Sequence, residues 1–231
     1  MDIETIGENF DEMDKTTQET LTRWIKRESK NEEEYEVALK DLKDGLGFSP
    51  WTGEIVALGV MDCATEKAVV CFQASQKDYG TFEENGVTYK QMSEKAMLEN
   101  FWRGVEKYDE LITFNGRGFD VPYIMIRSAV HEIRPSKDFM RGRYVSQHAP
   151  GARHIDLQDQ IIFYGAVRRR PSLHLCCRTL GIKSPKEDGV TGDDVAQLYA
   201  EKKYKDIARY NVRDLVATKE LYDYWHEYLQ F

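Results

Sequence analysis

The sequence predicts one mixed α/β domain, and three features point there. Two β-rich segments, Glu54–Met61 and Ala68–Ala74, flank a polar stretch at Asp62–Lys67, the pattern of a hairpin. Beyond them, stretches with apolar residues at helical spacing alternate with apolar runs too short for helices. The 231 residues are 41% hydrophobic and 12% aromatic, enough to bury a real core. With 31% charged residues and only 16 Gly and 6 Pro, a disordered or collagen-like chain is excluded. The longest apolar runs, such as Ile55–Met61, are far too short to span a bilayer.

Each element has a local reason. Met1–Thr5 reads as the end of a short strand. Thr16–Lys43 is rich in Lys, Glu and Gln with scattered apolar residues, which predicts a solvated helical stretch broken near Ser29–Asn31 and ended by Gly45 and Gly47. The hairpin follows, and Gly80–Gly86 reads as a loop. Ser93 suits the cap of a helix running to Lys107, with an apolar face that includes Leu98, Phe101 and Trp102. Leu111–Phe114 is a compact strand, Asn115–Gly118 a turn, and Asp120–Val130 a helix with Pro122 tolerated in its first turn. Ile133–Arg153 is polar, basic and irregular. His154–Leu157 reads as another strand, Ser172–Gly181 as a helix closed by glycine. Asp193–Tyr199 and Tyr204–Leu229 read as the last helices.

Charge is unevenly spread. The net value is −8, which by itself disfavours a nucleic-acid partner. Yet Val121–Lys186 holds 12 Lys and Arg against 4 Asp and Glu, while the rest of the chain holds 20 against 36. A basic middle on an acidic chain suits a phosphate-backbone track, and it also suits an ordinary uneven surface. Cys63, Cys71, Cys176 and Cys177 lack metal-type spacing, and no basic and apolar leader opens the chain. The expectation is free thiols in the cytoplasm, away from any membrane. His148, His154 and His174 match no zinc pattern.

Three motifs carry possible chemistry. In Asp2-Ile3-Glu4, strand geometry points both carboxylates to one face, where they repel unless a hard divalent cation bridges them. Acids near a terminus are also commonly just solvated. Leu111–Phe114 runs through Asn115-Gly-Arg-Gly118 into Asp120, at the carboxyl end of a strand, where open α/β sheets place ligands. Asp120 equally suits the first turn of a helix as a structural acid. In Tyr210-Asn-Val-Arg-Asp214 the phenol and carboxylate lie four residues apart on one helix face. Packing of Tyr210, with Asp214 paired to Arg213 or Lys219, is the plainer alternative.

Taken together and in this order, DIET, NGRGFD and YNVRD resemble the DEDD superfamily of 3′–5′ exonucleases. The tyrosine of the third motif resembles the DEDDy subgroup, and the chain is most similar to predicted exonucleases related to the proofreading domain of family B DNA polymerases. The resemblance extends to His154-Ile-Asp-Leu, Ser172-Leu-His-Leu and Gly181–Tyr199, and covers most of Trp51–Tyr228. It implies a single ribonuclease-H-like domain over residues 1–231: a mixed β-sheet flanked by helices, with 11–48 as a charged helical insertion. It also implies that Asp2, Glu4, Asp120 and Asp214 hold two Mg²⁺ or Mn²⁺ ions and that Tyr210 positions water. Asn115 and Phe119 match substrate-channel positions. Phe119 also suits plain core packing.

The implied reaction is hydrolysis of nucleoside monophosphates from single-stranded 3′ ends, DNA in preference to RNA. Arg141, Arg143, Arg168, Arg169, Arg170, Lys183 and Lys186, together with the already counted Arg153, are candidate phosphate contacts. An RNA exonuclease, a structure-specific endonuclease and a non-catalytic nucleic-acid-binding domain are the alternatives. No polymerase segment follows on this chain, so it acts alone or with a polymerase or repair partner in trans. Two departures stand out. Only Met1 precedes Asp2, where the family's opening strand has several apolar residues, so the central strand is short or the start misplaced. The stretch Asp11–Phe48 is unusually long and charged.

Overall fold

The computed structural model describes residues 1–75, 78–186 and 192–230, the side chain of residue 193 excepted. Residues 187–191, within the Gly181–Tyr199 resemblance, lie outside them.

The chain opens with strand β1, Asp2–Gly7, then two helices, α1 at Lys15–Glu28 and α2 at Glu32–Gly45. Asp14 caps α1 by accepting from Thr16 and Thr17, and Asn31 caps α2 by accepting from Glu34, which places the break where the polar run Ser29–Asn31 predicts it. Among the residues of α1 only Thr22 and Ile25 are buried, and none of α2 is. The pair is the solvated excursion expected of its composition. Strands β2, Gly53–Met61, and β3, Ala68–Phe72, form the antiparallel hairpin.

Gly80–Gly86 is not simply a loop: Thr81–Glu84 forms β4, and Val87–Gln91 forms β5 after a turn at Asn85-Gly86. Both positions of that turn have positive φ, 51° and 79°, the geometry of a tight hairpin. The alternation of Phe82 and Tyr89 with polar residues was the signal, and their rings stack at 4.9 Å. The five-stranded sheet has the order β1-β2-β3-β5-β4, with β3 and β5 parallel and the other pairs antiparallel.

Helix α3, Glu94–Val105, starts at a Ser93 cap. Then β6, Glu110–Thr113, leads through the Asn115–Gly118 turn into α4, Asp120–Val130. The basic stretch is irregular apart from a short 3-10 turn at Val145–Gln147, and ends in β7, Arg153–Asp156, parallel to β6. A short helix α5, Leu157–Ile161, follows where the pattern gave only a strand end; Asp156 caps it. Helix α6, Leu173–Leu180, has Ser172 as its cap and left-handed Gly181 as its stop. Helices α7, Val195–Ala200, and α8, Tyr204–Tyr228, complete the order.

This is an α/β fold, a mixed five-stranded sheet between helices, the architecture expected above. Both faces of β2 are covered, which explains its unbroken apolar run. Ile55 and Leu58 join a core with α3 and α4, while Val56 and Ala57 join one with α7 and α8. Glu94 pins three elements: it accepts from Ile55 N at 2.8 Å, and Arg127 and His131 of the α4 end reach its other oxygen at 2.7 and 2.6 Å. The Met1 amine donates to Ile112 O at 2.9 Å, joining the start of β1 to β6.

Candidate active site

The centre of the site is set by strand register. Asp2 and Glu4 pair with Gly59 and Ala57 of β2, and a bulge follows between Glu4 and Thr5. Because alternate strand residues share a face, both carboxylates turn toward α8 while Ile3 enters the opposite core. Helix α8 answers with Tyr210, Asn211 and Asp214. Ligand oxygens of Asp2, Glu4 and Asp214 all lie within 4.8 Å of one another. Glu4 is buried, whereas Asp2 and Asp214 are half-buried, so the cluster is enclosed but reachable.

Asp120 enters from the other side. It is the first residue of α4, but it is not the cap: Phe119 holds that position without a side-chain bond. Its Oδ1 instead accepts the N–H of Ile3 at 3.1 Å, directly between Asp2 and Glu4 in the strand. The structure thus puts it against the cluster without bringing it into the 4.8 Å group.

The electrostatics of this arrangement are unfavourable for a protein alone. Burial pushes the Asp2 carboxyl well above its usual range, and Glu4, Asp214 and Asp120 push it further. Burial and then Asp214 do the same to Glu4. Burial pushes Asp120 up to about 7, partly opposed by the Met1 amine, and Asp214 up to about 6, opposed by a hydrogen bond from Tyr210. Three clustered acids with a fourth against them, each penalised for ionising, are what a bound cation relieves. The donors are all carboxylate oxygens, hard ligands that suit a divalent cation of the Mg²⁺ or Mn²⁺ kind. The residues present therefore fit such an ion.

Tyr210 is buried and hydrogen-bonds Asp214, with the Arg213 guanidinium 5.5 Å over its ring. Burial and the surrounding carboxylates push its phenol far upward, so it stays protonated at neutral pH. It can donate or orient; it cannot serve as a base.

The turn before α4 is clamped by a residue to which no role was assigned from sequence. Asp156, at the end of β7, accepts from Asn115 N and Arg117 N, each at 2.9 Å. Asn115 has φ 60°, a left-handed geometry that asparagine tolerates. Arg117 in turn holds the basic loop, donating to the carbonyls of Phe139, Met140 and Gly142. Phe119 is half-buried against the core, its ring 5.4 Å from Tyr123.

The candidate phosphate contacts divide. Arg141, Arg168, Arg169 and Arg170 are exposed. Arg143 is exposed but engaged, donating to Tyr164 O and lying 3.6 Å from Asp159. Arg153 is 2.6 Å from Glu110 and holds the β6–β7 pair. Lys186 acts electrostatically on Asp214, favouring its ionised form. Lys183 lines an open cleft with His174, Arg178 and Ser184. Among the remaining residues weighed from sequence, His154 is buried between Thr113 and the Phe139 carbonyl, and burial pushes it down to about 3. Cys176, Cys177 and Trp225 pack in the core.

Residues 61–228 match a family of predicted 3′–5′ exonucleases related to the exonuclease domain of PolB. The chain belongs to this family. No curated protein matches it. The exonuclease family match contains Asp120, Tyr210 and Asp214 but begins after Asp2 and Glu4, which join them here through the register of β1 on β2. A 3′–5′ exonuclease acts on nucleic acid, and no helix among the described residues of this one is long and apolar enough to cross a membrane.

Proposed function

We propose that this exonuclease removes nucleoside 5′-monophosphates one at a time from the 3′ end of single-stranded DNA, with Asp2, Glu4, Asp120 and Asp214 holding two Mg²⁺ or Mn²⁺ ions. The observation that carries the reading is the convergence of Asp2, Glu4 and Asp214 within 4.8 Å, with Asp120 bonded to the backbone between the first two. Divalent ions bound there supply charge neutralisation, an activated water and stabilisation of the departing oxygen. The protein does the rest. Burial of Glu4 and Asp120 fixes the carboxylates before any ion arrives. The protonated Tyr210 hydroxyl, anchored at Asp214, orients a water by hydrogen bonding without taking its proton. Phe119 borders the turn that presents Asp120, and a half-exposed ring there gives a terminal base an apolar edge. Arg141, Arg168, Arg169, Arg170, Lys183 and Lys186 provide positive charge for the strand's phosphates, and Lys186 also acts electrostatically on Asp214.

The test is product identity. The protein is incubated with single-stranded DNA and with RNA of matched sequence, and the small products are separated by chromatography. Nucleoside 5′-monophosphates, faster from DNA and absent with EDTA, are expected. Oligonucleotide products would indicate an endonuclease, and faster release from RNA would reverse the sugar preference.

A further inference from the structure

Asn211 sits between Tyr210 and Asp214 in α8, and none of it is exposed to solvent (0%). Its Nδ2 donates to Asp2 Oδ2 at 2.8 Å and reaches Glu4 Oε1 at 3.4 Å. The other end of the same amide is different. Oδ1 is buried with no hydrogen-bond partner. It rests on Gly59, the β2 residue directly opposite Asp2 in the sheet. A methyl group at Gly59 would fall on that oxygen, and would also lie 2.7 Å from Leu215 Cδ1.

A buried carbonyl oxygen without a partner costs free energy. A leucine of nearly the same shape would carry no such cost at this position. What the amide adds is its donor end, a single NH₂ group spanning two carboxylates of like charge. The reverse orientation would set a carbonyl oxygen against both acids, so the charges fix which way the amide points. Nδ2 thus reaches one oxygen of each acid, and ligand oxygens of both lie within 4.8 Å of one from Asp214.

We infer that Asn211 is a positioning residue for the carboxylate cluster: its amide holds Asp2 and Glu4 at a set separation ready for a divalent cation, in space that Gly59 leaves open. This rests on the metal-dependent reading above. The partners that orient metal ligands typically contribute 10–100-fold to metal affinity. The signature is therefore weaker metal binding without loss of the fold.

The experiment is calorimetric titration of the full chain with Mn²⁺, for wild type, Asn211→Leu, Asn211→Ala and Gly59→Ala, each with a thermal melt of the metal-free protein. Asn211→Leu removes both the donor and the orphaned oxygen, so its metal-free Tm is expected to hold while Mn²⁺ affinity falls about 10–100-fold. Asn211→Ala and Gly59→Ala are expected to weaken Mn²⁺ binding in the same direction. In the nuclease assay, the Mn²⁺ needed for half-maximal rate should rise, with KM for the strand unchanged and kcat largely recovered at saturating Mn²⁺. Unchanged Mn²⁺ affinity in a folded Asn211→Leu protein would overturn the assignment while leaving the metal reading intact. A wild type that binds no Mn²⁺ would overturn both.

Discussion

Replacing Asp214 by asparagine should make the metal-free protein more stable while removing its response to divalent cations. The reasoning starts from the carboxyl group's environment. Asp214 is raised to about 6, first by burial, against an ordinary value of 3.8. A group whose folded-state pKa is raised contributes most to stability below its unfolded pKa, and that contribution is lost as pH rises through the folded value. At pH 7.5 the ionised carboxylate is therefore a net cost to the fold. Two units correspond to ~3 kcal/mol. Partial exposure and sharing of protons with neighbouring acids reduce this to about 1–2 kcal/mol. In a chain of this size that is about 2–8 °C in Tm. Asparagine keeps the volume and still accepts from Tyr210. Differential scanning fluorimetry at pH 7.5 in EDTA should show the variant melting above wild type, and the gap should close on acidification below pH 5. Adding Mg²⁺ or Mn²⁺ should raise the Tm of wild type alone, by about 2.7 kcal/mol of stability at a hundredfold excess over Kd. An Asp214→Asn protein that melts below wild type in EDTA at pH 7.5 would refute the reasoning, because it would show the carboxylate to be a stabilising partner.

Four further outcomes follow from the same contacts. Tyr210→Phe should cut kcat by about 10–100-fold, the loss typical of an orienting partner at a metal site, while Asp214→Ala should leave no measurable turnover; equal loss would show that the phenol does more than orient water. Glu94→Ala should destabilise the protein by about 3–5 kcal/mol, since it strands half-buried Arg127 and the buried Ile55 N–H; Glu94 is held below its usual range by Arg127 and its other donors against the opposing pull of burial, so its contribution is present at neutral pH and disappears as acid protonates it, a loss visible in urea melts. His154, pushed to about 3 by burial, should show no imidazole titration in proton NMR between pH 8 and 4; a midpoint near 6.5 would place it in solvent. Replacing Arg168, Arg169 and Arg170 together by alanine should flatten the dependence of log Kd for single-stranded DNA on log salt by about 2, since each phosphate contact on a single strand contributes about 0.7; an unchanged slope would remove these residues from the strand's path.

What could be read from the sequence was what local physics decides. The break at Ser29–Asn31 and the Ser93 and Ser172 caps are written in side chains that satisfy neighbouring backbone, and the Gly181 stop in a left-handed backbone that glycine adopts freely. The hairpin was visible because Ile55–Leu58 is apolar throughout, as a strand covered on both faces must be. Strands β4 and β5 escaped because their alternation is short and the run is crowded with Gly, Glu and Lys, and because parallel pairing of β5 with β3 is a long-range choice no local pattern encodes. In the candidate site, strand and helix periodicity paired Asp2 with Glu4 and Tyr210 with Asp214, and it was the resemblance of the three motifs taken together that singled out the acids and Tyr210. Asn211 and Gly59 were not legible, since their roles arise only when α8 is laid across β2. Asp156 was quoted within a motif, but its clamp on Asn115 and Arg117 needs the pairing of β7 with β6.

The most direct test of the central claim is a time course on 5′-labelled single-stranded DNA, with Mg²⁺, with Mn²⁺ and with EDTA, beside Asp214→Ala. A ladder shortening from the 3′ end in either metal, absent with EDTA and absent in the variant, is the predicted result. A full-length band that persists with a folded wild type in both metals would contradict the account, as would a ladder that Asp214→Ala produces equally well.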